Sequence, residues 1–223
     1  MSKHVVVTGA TGGLGIAVVE RLLADGATVH LPIMEGALPG HLPWRDRVHA
    51  VPGVSLDRED QVAAFYAQLP ALSASIHLVG GFAMAKVTDT SLADLEKQWR
   101  LNVATCFLAC REAVRAMKNG GRIVNVAARP AVTPTPGMIA YATAKAGVAA
   151  LTQALAVEVL DRGILVNAVL PSIIDTPANR ASMPDADHAS WPKPAQLAET
   201  IAFLASENNA LTTGALVPVY GRA

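Results

Sequence analysis

The chain has 223 residues, of which 52% are hydrophobic and 16% charged. That is enough apolar material for one α/β domain, too much for a disordered chain, and too few residues for two full domains. Basic and acidic side chains balance at 18 each, so neither nucleic acid nor an anionic membrane is an expected partner. A small-molecule substrate is expected instead.

Cys106 and Cys110 stand four apart in a helix-like stretch, and the histidines are scattered. Neither a CxxC pair nor a zinc spacing is present, so two small core-facing thiols and no metal are expected. No signal-peptide pattern precedes the first strand, and no apolar run reaches the ~18 residues of a membrane span. A cytoplasmic protein is the default expectation.

In chain order the pattern alternates. A β-branched run at 5–7 closes on Thr8-Gly9, and helical spacing of apolar residues covers 14–25 before Gly26. A second strand is predicted over 28–31 and a third over 47–52. Next comes a helix over 57–69, with Asp57 as its cap and Val62, Phe65 and Leu69 on one face. A buried strand over 75–79 ends in Gly80-Gly81. One long helix, 91–118, stops at Asn119-Gly120-Gly121. Strand 122–126, helix 138–160, strand 164–169, helix 194–206 and strand 215–219 complete the series. Seven strands separated by helices predict parallel pairing: a doubly wound (Rossmann) sheet with helices on both faces, in a single domain spanning 1–223. Two stretches lack a regular pattern, 32–43 and 173–194, and the second reads as a substrate loop.

In such sheets ligands bind beyond the carboxyl ends of the strands. Thr8-Gly9-Ala10-Thr11-Gly12-Gly13-Leu14-Gly15 joins the first strand to the first helix. Its glycines permit a tight turn and close backbone approach, and the helix start favours a pyrophosphate. Further on, Tyr141 and Lys145 lie four apart on one helical face. An ammonium beside a phenol favours phenolate and lowers its pKa from about 10. Such a tyrosine can supply the proton when hydride reduces a C=O or C=N bond.

Together the T-G-x-x-x-G-x-G turn and the Y-x-x-x-K pair resemble the short-chain dehydrogenase/reductase family, over nearly the whole chain. The resemblance implies an NAD- or NADP-dependent oxidoreductase that is a homodimer or homotetramer. It implies that Thr8, Gly9, Thr11, Gly12, Gly13, Leu14 and Gly15 hold the cofactor, with Gly80, Gly81 and Lys145. It also implies that Asn102 supports a proton-relay water, and that Pro171, Ile174 and Thr176 form the turn around the nicotinamide.

Three departures stand out. The serine expected thirteen residues before the tyrosine is Ala128. The N-A-G turn is replaced by Leu78-Val79-Gly80-Gly81. Leu31-Pro32-Ile33-Met34 holds neither the acid that would select NAD nor the arginine that would accept the NADP phosphate, and Glu35 or Arg45 reaches there only if the loop folds back. With Thr135-Pro136-Gly137-Met138-Ile139 and the irregular string from Leu170 to Trp191, these departures resemble the dihydropteridine reductases. That subgroup implies hydride transfer to a quinonoid dihydropterin with Tyr141 as acid and no serine. A general carbonyl or alcohol oxidoreductase, with Thr133 or Thr135 as substitute donor, is an open alternative. A non-catalytic nucleotide-sensing module is a further one.

Overall fold

The computed structural model describes residues 3–222. Seven strands form one sheet in the order β3-β2-β1-β4-β5-β6-β7: β1 His4–Thr8, β2 Thr28–Pro32, β3 His49–Val51, β4 Ala74–His77, β5 Gly121–Val126, β6 Ile164–Pro171 and β7 Leu216–Val219. Every neighbouring pair is parallel. The helices are α1 Gly13–Ala24, α2 Glu59–Ala67, α3 Leu92–Trp99, α4 Thr105–Ala116, α5 Ile139–Glu158, α6 Pro177–Ser182 and α7 Pro194–Ala205.

Strand alternation divides the core. Val5, Val7, Ala74 and Ile76 pack with α1 and α7 on one face. On the other, Val6, Ile123 and Val166 pack under α2, α4 and α5, through Phe65, Leu108 and Val148. Burial on both faces is what parallel sheets require, and it explains why the strands read as continuous apolar runs. The strand order reverses between β1 and β4, so the crevice for a ligand opens there.

The predicted helix 91–118 is interrupted. Ser91 and Asp94 form a reciprocal capping box at its start, but residues Arg100–Ala104 form a π turn. Two side chains in or beside it take i−4 carbonyls. Asn102 Nδ2 donates to the Gln98 carbonyl at 2.9 Å, and Thr105 Oγ1 donates to that of Leu101 at 2.8 Å. The predicted cap of α2 also moves. Asp57 accepts the Ser55 hydroxyl at 2.6 Å, the residue before the helix is Arg58, and no side chain caps it. Residues 32–43, irregular in pattern, still send Ile33 and Leu42 into the core. Residues 173–194 are more ordered than their composition suggests. They contain α6 and a 3₁₀ turn, His188–Ser190, and bury Trp191.

At the other end of the sheet His4 and His30 share a hydrogen bond of 3.0 Å, and His30 stacks on His49 at 5.2 Å. Burial, then His49 and His4, push the His30 pKa down to about 4. The unfolded chain binds this proton below about pH 6.5 and the folded chain refuses it until about pH 4. Stability is therefore full above pH 6.5 and is lost as pH falls through that window. His30→Gln should recover about 1–2 kcal/mol of the stability that the wild type loses between pH 7 and 5. Urea midpoints of both proteins at the two pH values check this; equal losses would refute it.

Candidate active site

The ends of β1, β4, β5 and β6 converge with the start of α5. At the end of β1, Gly9 has φ +69°, and a Cβ there would sit 3.0 Å from the Val79 nitrogen. The β1 and β4 exits are thus pressed together. Thr8 is buried, and its hydroxyl accepts the Leu78 N–H at 3.1 Å, so its visible work is to tie these strand ends. A Cβ on Gly15 would fall 2.2 Å from the Gly9 carbonyl oxygen, and only glycine lets α1 start so close to the turn. Gly12 stands at the N-cap of α1 with no side-chain cap. The first-turn amides of α1 thus point at whatever lies along the turn. Gly13 faces Thr176, whose methyl would be 2.8 Å from a Cβ at that position. Glycine turn and residues 171–176, distant in sequence, therefore meet.

Asn102 is buried in the π turn, not set on a solvated helix face. Its Oδ1 accepts the Gly81 N–H at 3.2 Å and its Nδ2 donates to the Gly81 carbonyl at 3.1 Å. A Cβ on Gly80 would lie 2.6 Å from Asn102 Oδ1 and 3.0 Å from Lys145 Nζ. The Gly80-Gly81 turn is thus the meeting point of β4, the π turn and α5.

Lys145 is 5% exposed, and its Nζ donates to the Val126 carbonyl at 2.9 Å. Burial lowers its pKa to about 8. Its Nζ lies 5.9 Å from the centroid of the Tyr141 ring. The expected lowering of the tyrosine pKa is not met in this arrangement, because burial dominates and pushes Tyr141 up to about 12. The phenol is therefore protonated at neutral pH, the form a proton donor needs. Phe82 packs edge-on against the Tyr141 ring at 5.0 Å and is 61% exposed. Sequence reasoning passed over its side chain as a wall of the site; its position directly after the Gly-Gly turn was the available signal.

Ala128 is buried just past β5, and Ala127 beside it is buried too. Thr133 and Thr135 are exposed. Beyond β6, Pro171 ends the strand and Ile174 is partly buried against the α1–α7 core. Thr176 caps α6 by accepting the Asn179 N–H at 3.2 Å. Arg180 grips Asp175 in two bonds, and Asp175 N–H donates to the Pro192 carbonyl at 3.0 Å. At the end of β2, Glu35 and Arg45 are both exposed, and Arg45 lies 3.5 Å from Asp46.

Behind the site, His77, Cys106 and Cys110 are buried together, with their ligand-type atoms within 4.8 Å of one another. The sequence reading found no such cluster, because the histidine comes from β4 and the thiols from α4.

Residues 3–187 match the short chain dehydrogenase family. The chain is 31% identical to the 2-(R)-hydroxypropyl-CoM dehydrogenase of Xanthobacter autotrophicus, over 99% of this chain and 98% of that one. It is also 31% identical to a short-chain type dehydrogenase/reductase of Sinorhizobium fredii, over 98% of this chain but 43% of that longer protein. Among solved structures, an NADPH-bound short chain oxidoreductase of Pseudomonas aeruginosa PAO1, described as containing an atypical catalytic center, superposes with a TM-score of 0.88. The two are 26% identical, over 98% of this chain and 95% of that one. This chain belongs to the short-chain dehydrogenase/reductase family and is an NAD(P)-dependent oxidoreductase. The uncapped start of α1 and the side-chain-free glycine turn suit a dinucleotide pyrophosphate.

Gly13→Val should weaken NAD(P)H binding by about tenfold or more, because the branched side chain meets both the pyrophosphate path and Thr176. Cofactor fluorescence titration, with circular dichroism to check the fold, measures it. Unchanged affinity would reduce the turn to a structural role.

Proposed function

We propose that this enzyme reduces a conjugated, electron-poor cyclic imine or quinone-like substrate, in the manner of a dihydropteridine reductase. The carrying observation is Ala128: a methyl group, 5% exposed, at the position where the family pattern has a hydroxyl donor. A conjugated acceptor takes hydride without a hydrogen bond to a carbonyl oxygen, so a methyl group there is tolerable. The bound nicotinamide would supply the hydride. Tyr141, held protonated by burial, gives the proton to the reduced substrate. Lys145, fixed to the Val126 carbonyl, holds the cofactor ribose and steadies the charge that develops on the phenol oxygen. Asn102 positions the Gly80-Gly81 turn beneath them and supports the proton relay. Thr8, Gly9, Thr11, Gly12, Gly13, Leu14 and Gly15 hold the pyrophosphate side, and Pro171, Ile174 and Thr176 the nicotinamide side. Residues 173–194 cover the substrate, and the whole chain works as one domain in the cytoplasm.

A general carbonyl or alcohol oxidoreductase is the second reading, favoured by the dehydrogenase from Xanthobacter autotrophicus. In that case Ala128→Ser should raise kcat/KM on ketones by about 10–100-fold. On the first reading it changes ketone and dihydropterin rates little. Tyr141→Phe should lower turnover by about 10²–10⁴-fold with cofactor binding retained. A panel of ketones, quinones and a quinonoid dihydropterin, run with NADH and NADPH, reads all three. A large ketone gain in Ala128→Ser with no dihydropterin activity in either form overturns the first reading.

Assembly into a homodimer or homotetramer is supported by apolar side chains on the outer faces of α3, α4 and α5. Leu92, Trp99, Phe107 and Val157 are all exposed there. Light scattering should give at least twice the 23.2 kDa chain mass, and Phe107→Glu with Val157→Glu should lower it. A monomeric wild type at micromolar concentration would exclude this assembly.

A further inference from the structure

His77 is an unusual residue for the middle of a sheet. It lies buried on β4, on the face covered by α2 and α4, among a small group of polar side chains set within an apolar core. A buried imidazole requires partners on both ring nitrogens. On one side Nε2 lies 2.9 Å from Ser75 Oγ, itself 2.9 Å from the Tyr66 hydroxyl. On the other, Nδ1 lies 2.8 Å from Asn125 Oδ1 and 3.4 Å from Cys110 Sγ. Cys110 Sγ is also 3.4 Å from Asn125 Oδ1. Cys106, one helical turn before Cys110, brings a second sulfur to the same point.

We propose that His77, Cys106 and Cys110, completed by Asn125 Oδ1, form a buried structural site for one zinc ion. Two sulfurs and one imidazole nitrogen are ordinary zinc ligands, and the Asn125 amide oxygen, a weaker neutral donor, fills the fourth tetrahedral position; the ligand atoms of such a site stand about 3.5–4 Å apart. Cys110 Sγ is 3.4 Å from both Nδ1 and Asn125 Oδ1. The ligand atoms of His77, Cys106 and Cys110 lie within 4.8 Å of one another, and Nδ1 and Oδ1 are 2.8 Å apart. Loading has to draw the sulfurs in and open the Nδ1–Oδ1 hydrogen bond by side-chain rotation. Loading releases two thiol protons, leaving two thiolates, a neutral imidazole and a divalent cation. The complex is then neutral, as a site this buried demands. A monovalent soft ion would leave a net negative charge, and this disfavours copper(I).

The surrounding groups suit this assignment. Without metal, Nδ1–H donates to Asn125 Oδ1, which can only accept, and Nε2 accepts the Ser75 hydroxyl. Loading moves the ring proton to Nε2, where Ser75 Oγ accepts it, and frees the Nδ1 lone pair for the ion. Asn125 Nδ2 donates to Thr152 Oγ1 at 3.0 Å, which turns Oδ1 inward. All these side chains are buried, so no position is left open for water or substrate. The site is closed and its role mechanical: it ties β4 to α4 directly beneath the Gly80-Gly81 turn.

The test uses the full chain produced in zinc-supplemented medium and purified under reducing conditions without chelator. Elemental analysis should find about one zinc per chain. Cys106→Ala and Cys110→Ala, small apolar replacements suited to a buried position, should each hold less than about a tenth of that, with circular dichroism as the check on folding. Substitution by cobalt(II) gives a second readout, since thiolate-to-cobalt charge transfer should appear in the wild type and vanish in either variant. Wild-type protein with no retained zinc and no cobalt spectrum would overturn the proposal. So would alanine variants that retain as much metal as the wild type.

Discussion

The amide of Asn102 exchanges two hydrogen bonds with the main chain of Gly81, and much of the site hangs on that exchange. The amide reaches Gly81 from a π turn, where the same side chain also takes the Gln98 carbonyl. Opposite the amide, Gly80 has no Cβ, and one there would push on the ends of the Asn102 and Lys145 side chains together. The substituted Gly-Gly turn thus bears on packing as well as being a departure in sequence. Phe82 follows it directly and is carried onto the Tyr141 ring.

Electrostatics in the site follow from burial more than from pairing. Lys145 is drawn down and Tyr141 driven up by the same desolvation, which disfavours the charged form of each. The ammonium spends one hydrogen bond on the Val126 carbonyl and keeps others to offer. The pair thus holds its proton on the phenol at neutral pH.

Legibility in the sequence followed the range of the interactions. The glycine turn, the Tyr141–Lys145 spacing and the seven alternating strands are local patterns, and all could be read from neighbouring residues. The π turn could not, since a helix period carries no mark of one side chain capturing a carbonyl. Asp57 was a sound cap candidate, but the Ser55 hydroxyl competes for the same carboxylate. The approach of Thr176 to Gly13 and the gathering of His77 with the two thiols depend on strand order, which only the folded sheet supplies. Residues 173–194 look irregular by composition, yet Asp187 and Thr176 organise short turns within them.

The contact between Gly13 and Thr176 has a consequence for kinetics. Thr176 is at once the neighbour of the glycine turn and the cap of α6, the first helix of the segment 173–194. A ligand lying along the turn therefore also lies against that threonine and the start of the segment. If the segment covers the substrate, as proposed, the nucleotide and substrate sites share a wall, and such a shared wall favours a compulsory order of addition, nucleotide on first and off last.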